Sequence, residues 1–134
     1  MRDQIKARCN AIEEAYEFML AYAAQGLASD AGSSAGGQVR AFLSGLEAAL
    51  DGLTGVFLGV VAAEQPPGAA EYHAFIEVLE RDAHAARAAV RLVLAQPGIS
   101  SQLVDNLNAS IHLRALLTDI FLVDELLKTQ PAQA

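Results

Sequence analysis

His73, Glu77, Glu80 and His84 recur at intervals of four, three and four residues. On a helix that spacing puts two imidazoles and two carboxylates on one stripe, a geometry able to hold a divalent ion. The stripe runs on through Arg87 and Arg91, however, and flanks an apolar face. Glu77 with Arg81 and Glu80 with His84 are then surface pairs at i,i+4, worth a few tenths of a kcal/mol each. We read it as a solvated face and expect no metal. A second polar group is Asn108, His112 and Asp119, with Asn106, Ser110 and Arg114 nearby in an otherwise apolar segment. It reads either as a polar pocket or as a hydrated face or buried network that holds helices in register. Cys9 stands alone, which excludes an internal disulfide and a thiolate zinc site. Its place on an apolar stripe makes it an inert core thiol.

The stretch Arg81-Asp82-Ala83-His84-Ala85-Ala86-Arg87-Ala88 resembles the motif of histidine phosphotransfer domains. In that family an exposed His is followed three residues later by a basic group and then by a small residue. The resemblance covers about eight residues and departs at Ala88, where the family carries Gly. It implies a phosphoacceptor role for His84 and a phosphate-stabilising role for Arg87. Carboxylate di-iron bundles place a Glu three residues before each ligand His. Those positions are Ala70, Arg81 and Ala109 here. No nucleophile elbow, phosphate-binding glycine loop, dinucleotide fingerprint or zinc-protease motif occurs either.

These residues lie in a chain built for helices. Its 27 Ala and 18 Leu outnumber the 18 Val, Ile and Thr combined. Gly and Pro interrupt it at Gly26 to Gly37, Gln65 to Gly68 and Gln96 to Gly98. Between them, apolar residues recur at three and four: Ile5, Cys9, Ile12, Tyr16 and Met19; Val39, Leu43, Leu46 and Leu50; Ile76, Leu79, Ala83, Ala86 and Val90; Leu113, Leu116, Ile120 and Val123. Ser100 is placed to cap the last segment, with Ile99 and Val104 as its staple. The spacing predicts an all-α, up-down-up-down four-helix bundle, with helices at about 3–25, 38–64, 70–95 and 100–128. We expect one domain over 1–134, with a mobile loop at 27–37.

The second segment carries a row of small residues. Gly45, Gly52 and Gly59 are seven apart, and Gly55 lies close by. Each glycine costs a helix roughly 1 kcal/mol against Ala, so a close neighbour must offset the loss. Pairing with the third segment would set Gly45 opposite Ala89 and Gly59 under Phe75. The run Val56-Phe57-Leu58-Gly59-Val60-Val61 leaves almost no polar face, as a helix buried on every side would. We therefore expect Gly45, Gly52, Val56, Phe57, Leu58, Gly59 and Val61 to form either a close helix contact or a homodimer seam.

A net charge of -7 at pH 7 opposes binding to nucleic acid or to anionic membranes. No apolar run approaches the roughly 20 residues a bilayer requires, and from Met1-Arg2-Asp3 and the alternating charged and apolar residues that follow we expect no signal peptide. The expectation is a cytoplasmic, non-enzymatic interaction module that binds no cofactor. Its partners are a second copy of itself and another protein. Size and helix content are similar to those of bacterial export chaperones, an analogy without a shared motif. The alternatives are the phosphotransfer domain using His84 and a bundle binding a metal or small ligand.

Overall fold

The apolar repeats become helices in a computed structural model that describes residues 2–129. Six helices follow one another: α1 (Arg2–Ala23), α2 (Ser34–Leu50), α3 (Leu53–Glu64), α4 (Ala69–Leu94), α5 (Ser101–Ala109) and α6 (Ile111–Lys128). Among the described residues there is no strand. The all-α class is as expected, but two of the four expected helices are broken.

The helix expected over 38–64 stops at Leu50 and restarts at Leu53, with its axis bent by 40°. Gly52 adopts φ +74°, a left-handed conformation that residues with a Cβ rarely take. Asp51 turns back to donate its N–H to Ala48 O at 3.2 Å. Arg8 of α1 closes the break from outside, donating to the carbonyls of Ala49 (3.0 Å) and Asp51. Helix ends leave such carbonyls without internal partners.

The helix expected over 100–128 breaks at Ser110, whose ψ of 144° is extended. The Ser110 N–H reaches Leu107 O at 3.1 Å, and its hydroxyl accepts from Leu113 N–H at 3.3 Å. One residue thus ends α5 and caps α6. Asn106, Asn108 and Ser110 compete with helical backbone through their own side chains, so the break falls where propensity is lowest. Ser100 caps α5 as expected, accepting from Leu103 N–H at 3.0 Å.

The core draws on every helix. Met19, Tyr22, Val39, Leu43, Leu53, Phe57, Leu79, Val90, Val104 and Leu116 are fully buried. α1 packs chiefly on α2 and α5, and α4 chiefly on α6, with α2 and α3 beside it. The Tyr22 hydroxyl donates to Ile99 O at 2.6 Å, and the Ser101 hydroxyl donates to Tyr22 O at 2.6 Å, tying the end of α1 to the start of α5.

The loop expected over 27–37 ends sooner than its composition indicates. Ser33 caps α2 by accepting from Gly36 N–H at 2.9 Å, so the helix begins inside the Gly/Ser stretch. Leu27 and Ser101 exchange two hydrogen bonds, at 2.8 and 2.9 Å. Asp30 accepts from Ile99 N–H and from Arg40 Nε, both at 2.8 Å. Arg40 also donates to the carbonyls of Leu94 (3.0 Å) and Gln96 (2.7 Å). The segment reads as flexible because its composition is small and polar, while Ser101 and Ile99, which bond to it, and Leu94 and Gln96, which hold its partner Arg40, lie more than fifty residues along the chain.

No single helix among the described residues is long and apolar enough to cross a membrane. Taken together α2 and α3 match such a span in length and composition, but they are bent and contribute Leu43, Leu46, Phe57 and Val60 to the core.

Candidate functional site

The glycine row does not form one stripe. Gly52 is the helix break, so Gly45 and Gly59 sit on different helices. Gly45 is exposed and lines a shallow groove with Ala11, Ala15, Ala41 and Phe42, between α1 and α2. A Cβ built on it would meet nothing within 4 Å. The expected close approach to Ala89 is therefore absent. Phe57 and Val61 are buried inside the chain, while Val56, Leu58 and Gly59 are half-buried. α3 is as apolar as the sequence indicated, but its largest side chain, Phe57, is spent on the chain's own core.

His84 is exposed on α4. Arg87, which the phosphotransfer resemblance would use to stabilise phosphate, donates from Nε to Glu47 Oε1 at 2.7 Å and lies 3.4 Å from Asp51 Oδ1. Arg91 Nε reaches the same Glu47 oxygen at 2.8 Å. Hydrogen bonds from Arg87, and secondarily from Arg91, hold the Glu47 carboxyl below its usual range. The positive charge of Arg87 is thus already matched by carboxylates, which opposes an incoming phosphate there. His73, Glu77 and Glu80 are exposed too. Among the described residues no three His, Cys, Asp or Glu side chains converge on a point that could hold a metal ion.

The polar group on α5 and α6 divides in two. Asn108 is buried and donates from Nδ2 to Met19 O at 3.1 Å, while its Oδ1 has no partner. His112 points to solvent. Asp119 is only 7% exposed, and its Oδ2 is without a hydrogen-bond donor. Across the α4–α6 packing it meets Asp82. Burial, followed by the hydrogen bond and charge of Asp82, pushes the Asp119 carboxyl up to about 7. A charged carboxylate is costly in this apolar seam beside a second acid, so Asp119 keeps its proton well above the usual aspartate range. Asp82 was not singled out from the sequence, although Asp119 falls among Leu116, Ile120 and Val123 on a core-facing stripe.

A cavity of about 320 Å³ lies between α1 and the end of α6, lined in part by Lys6, Cys9, Asn10, Glu13, Asp124 and Lys128. Burial, then the charges of Asp124 and Glu13, raise the Cys9 thiol to about 12. A thiol held protonated is a poor nucleophile. Lys128 and Asp124 pair with each other at 3.0 Å on its wall.

Large apolar side chains are exposed singly at Leu20 and Leu92, and several together on the outer face of α6. Leu113, Leu116, Ile120, Val123 and Leu127 are buried, as their spacing predicts. On the opposite side Phe121 and Leu122 are each 48% exposed, Leu126 44% and Ile111 74%. Arg114, Thr118 and Glu125 are exposed among them. Sequence reasoning missed this surface because it followed one apolar stripe per segment. The signal was present: α6 has more large apolar residues than one face of a helix holds.

Comparison with protein-family models, curated proteins and solved structures finds no match to this chain. The reading of its function therefore rests on its own surface.

Proposed function

We propose that this chain is a non-enzymatic helical interaction module, an adaptor, accessory or regulatory subunit, that works as a homodimer in a reducing compartment such as the cytoplasm. Its architecture is that of a four-helix bundle in which two rods are broken, at Asp51–Gly52 and at Ser110. The observation that carries the reading is the half-exposed Phe121, Leu122 and Leu126 on α6. Covering apolar surface is worth about 25 cal/mol per Å². Clustered large apolar side chains on the outside of a small protein mark places where other protein docks. The reading keeps the protein contacts expected from the sequence but moves them from α3 to α6.

Three further observations support it. The thiol of Cys9 is buried and held protonated. The arginine beside His84 is compensated by Glu47 and Asp51. The acidic balance of the chain favours protein partners over phosphate backbones.

Sedimentation equilibrium over a concentration series tests the homodimer. The expected result is a mass that rises from 14.1 kDa towards twice that value as concentration passes through the micromolar range. A constant 14.1 kDa at several hundred micromolar would overturn it.

A further inference from the structure

We infer that two copies associate through antiparallel α6 helices, with the two-fold axis passing between Phe121 and Leu122. This rests on the homodimer reading above and adds the surface, orientation and register. Six of the exposed positions of α6 fall in pairs about that point. Thr118 and Glu125 lie at equal distances on either side of it, as do Arg114 and Thr129. An antiparallel pair therefore sets Phe121 against Phe121 on one side of the axis and Leu122 against Leu122 on the other. Leu126 widens the apolar strip on the Leu122 side.

Charge selects the orientation. In the antiparallel pair Thr118 of one copy faces Glu125 of the other, and Arg114 lies one turn further along, about 5.4 Å. That is within reach of an arginine side chain, and the symmetry makes the contact twice. A parallel pair would set Arg114 beside Arg114 and Glu125 beside Glu125, repelling at both ends. No ion pair within the chain holds either residue among the described residues, and Glu125 feels only the nearby charge of Lys128. The neighbouring acid, Asp124, is neutralised by Lys128 at 3.0 Å and does not add to the repulsion between two chains of charge -7. A seam built mainly on one helix is small, at the low end of specific interfaces, so association in the micromolar range is expected.

The test is sedimentation velocity on the full chain and four variants, each checked for native helicity: Phe121→Glu, Arg114→Glu, Glu125→Arg and the double exchange Arg114→Glu with Glu125→Arg. The native chain should dimerise, and Phe121→Glu should remain monomeric. Each single charge change should weaken association roughly fivefold, and the double exchange should restore it. A native dimer that ignores all four variants would overturn the α6 seam while leaving the homodimer reading intact. Weakening by both single changes without recovery in the double exchange would overturn the antiparallel register. A native chain that stays monomeric at several hundred micromolar would overturn both readings. Phe121 is half exposed, and the charge exchange tests the seam even if Phe121→Glu fails to fold.

Discussion

A methyl group on Gly36 would fall 2.0 Å from the carbonyl oxygen of Asp30. The first turn of α2 therefore lies against the preceding loop only because position 36 has no side chain. Asp30 in turn accepts from Ile99 and Arg40. The contact joins α2 to the segment leading into α5.

Gly36→Ala should destabilise the chain by about 1–3 kcal/mol, because backbone must shift to admit the methyl. Helix propensity alone predicts the opposite sign, a gain of up to about 1 kcal/mol. Gly37 and Gly45 are the controls, since a Cβ at either meets nothing within 4 Å. Alanine at those two positions should stabilise. Urea unfolding of the three variants reads the signs directly, and a neutral or stabilising Gly36→Ala would refute the contact.

Asp119 sets a pH dependence. Its carboxyl is raised to about 7 in the fold, against about 4 for an unfolded aspartate. The folded state therefore holds a proton that the unfolded state has lost. Stability is fully present below about pH 4 and is lost as pH rises through 7, by at most about 4 kcal/mol. Asp119→Asn, which keeps the shape without the charge, should flatten the profile between pH 4 and 7 and raise stability at pH 8. Urea midpoints of the two proteins across that range check this.

Asp30 acts at the other end of the scale. The Ile99 N–H and the Arg40 guanidinium hold its carboxyl down to about 2. Its contribution is present above the usual aspartate range and is lost as pH falls towards 2. Together the two aspartates predict a stability maximum near pH 4. Arg40→Ala should cost about 1–3 kcal/mol at neutral pH, since it leaves the carbonyls of Leu94 and Gln96 without their donor. Faster hydrogen exchange at Ile99 in that variant would show the segment loosening.

Phe57 distinguishes core from seam. It is fully buried within one chain, so Phe57→Ala should cost about 3–5 kcal/mol. The loss should be the same at low and high protein concentration. A loss that appears only at concentrations where the chain dimerises would return Phe57 to an intersubunit contact.

Cys9 should resist thiol reagents in the native state. Its thiol is buried and raised to about 12, so at pH 8 almost no thiolate is present. Labelling by an aromatic disulfide should proceed only at the rate of unfolding and should accelerate in urea. Rapid stoichiometric labelling of the native protein would contradict the burial.

Periodicity within single segments was enough to read the helical class and most of the core. Ile5, Leu43, Leu79 and Leu116 are buried where a 3.6-residue repeat places them, because burying one stripe is a local decision. The cap at Ser100 was legible for the same reason. The breaks were half legible: Gly52 and the Asn106 to Ser110 cluster stood out, but whether a weak point bends depends on what receives the freed carbonyls. Arg8 does so at the first break, from a distant helix.

Partnerships across the chain could not be read in this way. The Asp119 carboxyl is raised by burial at the α4–α6 seam with Asp82 beside it, and Arg40 anchors a loop only once Leu94 and Gln96 arrive beside it. Which apolar residues were surplus was hidden for the same reason. Hydrophobic pattern says how much surface a helix offers for burial, whereas the packing of six helices decides how much is covered. Among the described residues α3 found its cover inside the fold, and the outer side of α6 did not.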